Sequence, residues 1–243
     1  MRFSCATDAG GDMRSPVRGS GLNVLVVDVG GTNIKILASG HHRPIVIPSG
    51  PTLTPTAMVS AVRTATQGWT YAAVSIGYPG AVVRGVPVNE PHNLARGWVG
   101  FDFARAFRRP TKVVNDAAMQ ALGSYRGGCM LFLGLGTGLG SALIVGGVLG
   151  PTELAHLPYA HGGTFEDYLG MRGLKRLGLA RWRTHVFIVS TMFKKALSAD
   201  YVVLGGGNVR HLKRLPRHIF RGSNDNAFRG GFRLWRTAQT RIR

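Results

Sequence analysis

Three glycine-rich turns, each placed directly after a short apolar run, constrain the fold of this chain more than any other feature. The first follows residues 23–29, the second occupies 134–141 with the sequence GLGTGLGS, and the third is the GGG at 205–207. Glycine lets backbone N–H groups come close to a ligand, above all to phosphate oxygens. Strands and helices that alternate around such turns predict a mixed α/β fold, not a helical bundle or a β-sandwich.

The apolar pattern between the turns predicts the order of the elements. Alternating or continuous apolar runs predict strands at 23–29, 34–37, 72–76, 112–114, 130–133, 142–145 and 201–204. Helices are predicted after Thr54 and Asp102, which have capping side chains, and over 117–125. A longer helix is predicted from apolar residues at helical spacing, namely Trp182, Val186, Val189, Phe193 and Leu197.

Composition limits the class of protein. The segment 130–150 carries no charge, but its seven glycines favour strand–turn–strand over a membrane-spanning helix. Residues 1–21 lack the apolar core of a secretory signal, and two cysteines build neither a disulfide framework nor a CxxC-type zinc site. We therefore expect a cytoplasmic protein without a membrane partner.

Positive charge is concentrated at one end of the chain. The net charge is +19, and residues 171–243 contain 17 Lys and Arg against Asp200 and Asp225. A field of this size attracts polyanions such as nucleic acid, an anionic membrane surface or a polyphosphate. The alternative is an arginine-biased composition on solvated helix faces, and the sequence leaves both interpretations open.

The first glycine turn brings together groups suited to phosphate chemistry. In DVGGTNIK, the carboxylate of Asp28 ends a strand, and two glycines, the hydroxyl of Thr32 and the amine of Lys35 follow it. A carboxylate at this place can hold Mg²⁺ through water while the glycines cradle phosphate oxygens. An ordinary hairpin explains the same residues without a ligand.

The second and third turns add to this interpretation. GLGTGLGS lacks the GK[ST] of a Walker A loop, and the strand predicted after it argues against a dinucleotide fingerprint. The third turn, followed by Asn208, would let a nucleotide or phosphate chain lie close to the backbone. Each turn is a weak signal alone, and the three in this order are a stronger one.

Seven motifs together resemble those of the ROK sugar kinases, and most closely the polyphosphate glucokinases and related glucokinases. They are DVGGTNIK, GYPG at 77–80, the N-L-x-x-x-W that starts at Asn93, Asn115-Asp116-Ala117, GTGLGSA, ELAH at 153–156 and GGG at 205–207. The resemblance runs from about residue 23 to about residue 235. It implies a two-lobed actin/hexokinase-like (ribonuclease H-like) fold with the active site in the interlobe cleft. We expect a leader over 1–22, an N-terminal lobe over 23–113 and a C-terminal lobe over 114–243.

The resemblance also implies roles for individual residues. Asp116 would be the general base that takes the proton of the sugar hydroxyl; its alternative is a cap on the helix that follows. Side chains implied for sugar binding are Asn93, Asn115, Asp116, Glu153, His156 and Glu166, and the alternative for Glu166 is a surface charge at a helix start. Residues implied for the phosphates of the donor are Asp28, Gly30, Gly31, Thr32, Lys35, Gly136, Thr137, Gly138, Gly205, Gly206 and Gly207. Mg²⁺ is the implied cofactor, held by Asp28 through water.

The chain departs from the family pattern at two places. The cysteine-rich motif that holds a structural zinc in many members is absent, so we expect no structural zinc, and His156 is predicted to touch sugar. His161 is expected to be a surface or core residue. Ala155 replaces a glycine that is usual in the family, between Glu153 and His156.

The resemblance predicts a kinase that makes glucose 6-phosphate from glucose and from polyphosphate, ATP or both. The basic segment 171–243 favours polyphosphate as the donor. Its chain would bind along a basic track formed by Arg172, Lys175, Arg176, Arg181 and Arg183. Alternatives are an ATP-only or glucose/mannose kinase of this family, a non-catalytic sugar-binding regulator, and a nucleic-acid binder. The regulator is disfavoured because only 22 residues precede the first strand, and no nucleic-acid-binding module accompanies the charge. The family also commonly forms homodimers.

Overall fold

The computed structural model describes residues 21–223, 225–236 and 241–242. Thirteen strands are assigned in this part of the chain: β1 (Val24–Val29), β2 (Asn33–Ala38), β3 (Ile45–Pro48), β4 (Ala73–Tyr78), β5 (Val82–Val83), β6 (Val86–Pro87), β7 (Thr111–Asn115), β8 (Cys129–Leu135), β9 (Leu139–Val145), β10 (Val148–Thr152), β11 (Tyr201–Gly205), β12 (Ile219–Arg221) and β13 (Arg241–Ile242). The α-helices are α1 (Pro55–Ala65), α2 (Phe103–Phe107), α3 (Asp116–Ser124), α4 (Phe165–Leu169), α5 (Met171–Ala196) and α6 (Asn226–Arg233), and a 3₁₀ helix spans Gly207–His211.

The strands form two large sheets that share one five-stranded topology, and the second sheet has β13 as a sixth strand, parallel to β10. The first has the order β3-β2-β1-β4-β7, and the second has the order β12-β11-β8-β9-β10-β13. In each sheet, a glycine turn joins two antiparallel strands, a third antiparallel strand follows, and two later strands add in parallel on the other side. The α/β class and the turn positions expected from the sequence are confirmed.

Helices cover both sheets and complete three apolar cores. Helices α1 and α2 cover the first sheet, α4 and α5 cover the second, and α3 and α6 share a core with strands of both sheets. The predicted caps are correct, since Thr54 accepts a hydrogen bond from Ala57 N and Asp102 accepts one from Arg105 N. Within the described ranges, no helix combines the length and the apolar character needed to cross a membrane.

The long helix is not continuous. Gly178 has φ 73° and ψ 165°, so α5 consists of two helical segments that meet at a kink. The predicted apolar face is correct for the second segment, where Trp182, Val186 and Val189 are fully buried. Sequence analysis did not identify β3, β10, β12 or α6 as separate elements.

Helix α6 and the residues just after it pack on the first sheet. Ser75 on β4 donates a hydrogen bond to Gly231 O and accepts one from Trp235 Nε1. Gly231 lies against Val26 of β1, where a larger residue would clash. The division into lobes at 23–113 and 114–243 stays a prediction, and the expected leader lies outside the described residues except for its last two positions.

Candidate active site

Asp116 lies where the two sheets meet. It is the first residue of α3, a helix that follows β7 of the first sheet and packs on β9 of the second. Ala117 contacts Gly140 closely, because a Cβ at Gly140 would lie 2.7 Å from the Cβ of Ala117. This contact holds the second glycine hairpin against the start of α3.

Capping of α3 alone does not explain why an aspartate stands at position 116. The N-cap is Asn115, whose Oδ1 accepts hydrogen bonds from Ala117 N at 3.0 Å and Ala118 N at 3.2 Å. Asp116 is the next residue, and its Oδ1 accepts from Ala117 N at 2.7 Å. Its second carboxylate oxygen can therefore face a substrate.

Two other carboxylates influence Asp116. Burial, together with the charges of Asp28 and Glu153, raises the pKa of Asp116 to about 7, and hydrogen bonds from the backbone oppose this rise. Burial also raises the pKa of Asp28 to about 6, although the charge of Lys35 opposes this rise. A carboxyl group with a pKa near 7 can take up a proton at neutral pH.

Asp28 and Lys35 are neighbours across the first hairpin. They pair in register on β1 and β2, and Asp28 also pairs with Gly77 on β4. A Cβ at Gly77 would clash with the Cε methyl of Met119 and would lie at contact distance, 3.4 Å, from Asp28 Oδ1, so glycine at this position makes room mainly for Met119. Asp28 and Lys35 therefore lie side by side in the first hairpin, and their roles towards Mg²⁺ and phosphate stay predictions.

The first glycine turn is fixed by its own neighbourhood. Gly30 N donates to Asn33 O at 3.0 Å, and Ser49 holds the turn through Gly30 O at 2.6 Å and Thr32 O at 2.9 Å. Thr32 is exposed at the tip of this turn. The N–H of Gly30 is engaged inside the turn, and a Cβ at Gly30 would lie 2.8 Å from Asn33 O, so glycine at this position serves the turn itself. Its predicted contact with a phosphate group stays a prediction.

The second glycine turn is fixed by residues distant in sequence. Gly136 N donates to Gly134 O and Gly138 O, and Thr137 O accepts from Met171 N at 3.1 Å. Glu166 Oε2 accepts from Leu139 N at 3.1 Å and lies against Gly138. Thr137 is exposed, so its side chain is free to meet a donor molecule.

Glu166 is not a free surface charge. Its carboxylate is partly buried in the second turn, and its backbone N–H donates to Ala155 O at 3.0 Å. That bond ties α4 to the segment that carries Glu153 and His156, both of which are exposed. The three residues predicted for sugar binding in this part of the chain therefore lie on connected segments.

The remaining predicted sugar contacts lie at the first hairpin and the start of α3. Asn93 is exposed and packs over Gly31, where a Cβ would lie 2.8 Å from the Cβ of Asn93. Asn115 uses its Nδ2 to donate to Gly80 O at 3.0 Å in addition to capping α3. Much of its hydrogen-bonding capacity is thus used within the fold.

The glycines of the third turn differ in their surroundings. A Cβ at Gly205 would meet the ring of Phe132, and one at Gly206, which has φ +82°, would lie 2.5 Å from Leu135 O. Gly207 is exposed and has open space around its Cβ position. Of the three, only Gly207 therefore has free space beside it for a donor molecule.

Asn208 was not assigned a role from the sequence. Its side chain is only 2% exposed, and its Nδ2 donates to Gly136 O at 2.9 Å, so it joins the third glycine turn to the second. An asparagine directly after a glycine run was visible in the sequence. Its hydrogen-bond partner, Gly136, lies 72 positions earlier and could not be recognised from the sequence.

Metal ligands are few at this site. Within residues 21–223, 225–236 and 241–242, no three side chains among His, Cys, Asp and Glu form a group that could hold a metal ion. A single carboxylate is enough for Mg²⁺ when phosphate oxygens and water complete its shell. Asp28 fits this limited role.

Known proteins with related sequences or folds are sugar kinases. No protein-family model matches the chain. The polyphosphate glucokinase of Mycobacterium leprae is 27% identical over 223 residues, which cover 85% of this chain and 64% of that protein. The chain therefore matches just under two thirds of the length of that relative.

Two crystal structures show the same fold. The inorganic polyphosphate/ATP-glucomannokinase from Arthrobacter sp. strain KM superposes with a TM-score of 0.73 at 24% identity, over 86% of this chain and 96% of that one. A ROK family glucokinase from Streptomyces griseus, solved with glucose and AMPPNP, gives a TM-score of 0.66 at 17% identity, over 87% and 98%. The resemblance to ROK sugar kinases and the actin/hexokinase-like fold expected from it are confirmed.

Proposed function

We propose that this chain is a sugar kinase that transfers a phosphoryl group from polyphosphate, ATP or both to the 6-hydroxyl of glucose. The observation that carries the proposal is Asp116 at the start of α3, where two glycine hairpins meet. Its pKa is near 7, and the charges of Asp28 and Glu153 act on it. The names of the relatives support the reaction class, since they are a polyphosphate glucokinase, a glucomannokinase and a glucokinase.

Asp116 would act as the general base. Its Oδ1 is held by Ala117 N, and the other oxygen would accept the proton of the sugar hydroxyl. The oxygen freed of its proton attacks the terminal phosphorus, and the bond from that phosphorus to the bridging oxygen breaks. The leaving group, which is the polyphosphate chain shortened by one unit or the nucleoside diphosphate, keeps the electron pair of that bond.

The sugar would lie between the two lobes. Asn93 over the first hairpin and Glu153 and His156 beyond β10 are exposed and offer donors and acceptors for hydroxyl groups. Glu166 and Asn115 are partly committed to the fold, so their contribution would be to hold the loops as well as to contact the sugar.

The phosphates of the donor would lie against the glycine turns. Thr32 and Thr137 are the exposed hydroxyl side chains of the first and second turns, and Gly207 leaves space beside the third. Lys35 adds positive charge near Asp28. Phosphoryl transfer depends mainly on positioning and charge stabilisation, which this arrangement provides.

Asp28 would hold Mg²⁺ through water. A bound cation would relieve the repulsion between Asp28 and Asp116, and this repulsion is the observation that makes the carboxylates suitable for the ion. Mg²⁺ supplies neutralisation of charge between donor oxygens when it is bound. A cytoplasmic location and a homodimer stay predictions.

The first test is product formation by the purified protein with Mg²⁺. Glucose and mannose are each offered with ATP and with long-chain polyphosphate, and hexose 6-phosphate is measured. Formation of glucose 6-phosphate with either donor supports the proposal. Glucose binding without product in all four pairings contradicts it and favours the non-catalytic sugar-binding regulator.

A further inference from the structure

A cavity lies at the junction of α4 and α5. It has a volume of about 740 Å³ and opens between the turn at 160–163 and the first segment of α5. Its lining includes His161, Asp167, Tyr168, Arg172, Lys175 and Arg176. We refer to it as the α4–α5 cavity.

The wall of the α4–α5 cavity carries positive charge. Arg172, Lys175 and Arg176 are spaced at i, i+3 and i+4, so one face of the helix presents all three. The carboxylate of Asp167 is engaged in a capping box, where its Oδ2 accepts from Thr164 N at 3.0 Å and Thr164 Oγ1 at 2.9 Å. The carboxylate of Asp167 therefore stabilises the start of α4. Its charge also interacts with Arg172 and Arg176, and these two cations line the cavity together with Lys175.

One of these cations is held in place. Arg176 donates from Nη2 to Asp167 O at 3.1 Å, and its guanidinium lies 4.6 Å from the centre of the Tyr168 ring. A guanidinium fixed in this way loses little conformational freedom when it binds a phosphate group. The side chains of Arg172 and Lys175 are exposed beside it.

The cavity adjoins the second glycine turn. The bond from Met171 N to Thr137 O places the start of α5 against that turn, and Arg172 is the next residue. The kink at Gly178 then ends the first segment of the helix. Beyond the kink, Arg183 donates to His211 O at 2.8 Å, so it is tied to the 3₁₀ helix. Arg181 also follows the kink, and neither it nor Arg183 lines the cavity. Of the five residues in the basic track expected from the sequence, the three before the kink therefore line the cavity.

We propose that the α4–α5 cavity binds linear inorganic polyphosphate and holds the part of the chain remote from the transferred phosphoryl group. This inference rests on the proposed function for the position of the reacting end. Polyphosphate carries a negative charge at every unit, so a long chain would reach from Thr137 past Arg172 to Lys175 and Arg176. A short donor ends before the cavity and gains nothing from it.

The test compares charge reversals at two exposed lysines of one helix. Lys175→Glu changes the cavity, and Lys195→Glu makes the same change in the last turn of α5, away from it. Equilibrium binding of fluorescently labelled long-chain polyphosphate and of tripolyphosphate is measured for both variants and for the unchanged protein. We expect Lys175→Glu to weaken long-chain binding about fivefold, and Lys195→Glu to change it less than about twofold.

Two results would overturn the proposal. If both charge reversals weakened polyphosphate binding equally, the general charge of the protein and not the cavity would explain the weakening. Equal displacement of the polyphosphate by a single-stranded oligonucleotide of matched charge would make the cavity a general polyanion surface.

The binding measurement separates this inference from the proposed function. Binding does not require turnover. The comparison of Lys175→Glu with Lys195→Glu therefore tests the polyphosphate site even if the protein makes no hexose phosphate. In an active enzyme, Lys175→Glu should raise the KM for long-chain polyphosphate about fivefold and leave the kcat and KM with ATP within twofold. Equal losses with both donors would also overturn the proposal.

Discussion

The two sheets repeat one topology, but they secure their glycine hairpins in different ways. The first hairpin carries its charged groups on its own strands, Asp28 on β1 and Lys35 on β2, and Ser49 just after β3 fastens its turn. The second hairpin has no charged residue on β8 or β9, and Glu166 and Asn208 fasten its turn from later elements. One hairpin is locally encoded, and the other depends on tertiary contacts.

This difference divides the chemistry between the sheets. The first sheet carries Asp28, the carboxylate proposed to hold the cation, and α3 at the end of its last strand carries the proposed base. The second sheet supplies an uncharged turn, whose shape depends on α4, α5 and the loop after β11. We expect changes in the first hairpin to affect charge and catalysis, and changes around the second to affect stability and donor binding.

The largest expected effect is at the junction of the two sheets. Asp116→Asn removes the proposed base and keeps the shape of the side chain, so kcat should fall by at least about 10²-fold with sugar affinity largely kept. Steady-state kinetics and glucose binding measure the two quantities. Asp102→Asn, which alters the exposed cap of α2, is the matched control and should leave kcat unchanged. Turnover by Asp116→Asn equal to that of the unchanged protein would remove Asp116 from this role.

The dependence of the second turn on tertiary contacts can be tested at two adjacent glycines. Gly206 has φ +82° and ψ 166°, and a Cβ there would lie 2.5 Å from Leu135 O, so Gly206→Ala should lower the free energy of unfolding by about 3 kcal/mol. Gly207→Ala is the control, because its Cβ position is open. Urea unfolding measures both. Equal stability of the two variants would contradict the contact with β8.

The same difference between the two hairpins explains which parts of the structure the sequence predicts. The strand, turn and charge of DVGGTNIK are adjacent in the chain, so periodicity and glycine placement predict the first hairpin together with Asp28 and Lys35. The helix caps at Thr54 and Asp102 are equally local and are also correct.

Contacts between distant segments were beyond sequence reasoning. The bond from Asn208 to Gly136 and the approach of Ala117 to Gly140 exist only after the second sheet and α3 have assembled. The kink at Gly178 has a local cause, but a glycine within a helical pattern does not reveal whether the helix continues. The return of α6 to β1 was missed because its glycines weaken the helical signal and its partner lies about 200 residues earlier.

A third experiment measures how much the partly buried carboxylates near the first hairpin lower the free energy of unfolding when they are charged. Burial raises the pKa of Asp116 to about 7 and that of Asp28 to about 6, from an ordinary 3.8. The folded protein therefore binds more protons than the unfolded chain between about pH 4 and 7, so its stability falls as pH rises through this window.

Asp116→Asn should remove much of this loss. At pH 8 without Mg²⁺, we expect the variant to be more stable than the unchanged protein by about 2 kcal/mol, less than the full shift because the carboxylates are partly exposed and interact. At pH 4 the two should differ little. Urea unfolding at both pH values checks the sign, and a variant that is less stable at pH 8 would contradict the assignment.

The smallest expected effect compares one hydrogen bond in each hairpin. Asn208→Ala leaves the carbonyl of Gly136 without its buried donor, which should cost about 1 to 2 kcal/mol of unfolding free energy. Ser49→Ala removes the bond to Gly30 O, but Ser49 is partly exposed and water can replace its hydroxyl, so about 0.5 kcal/mol is expected. Urea unfolding of the two variants under identical conditions gives the difference. If Ser49→Ala costs as much as Asn208→Ala, the first hairpin depends on its fastening as strongly as the second, and the distinction between a locally encoded and an assembled turn is lost.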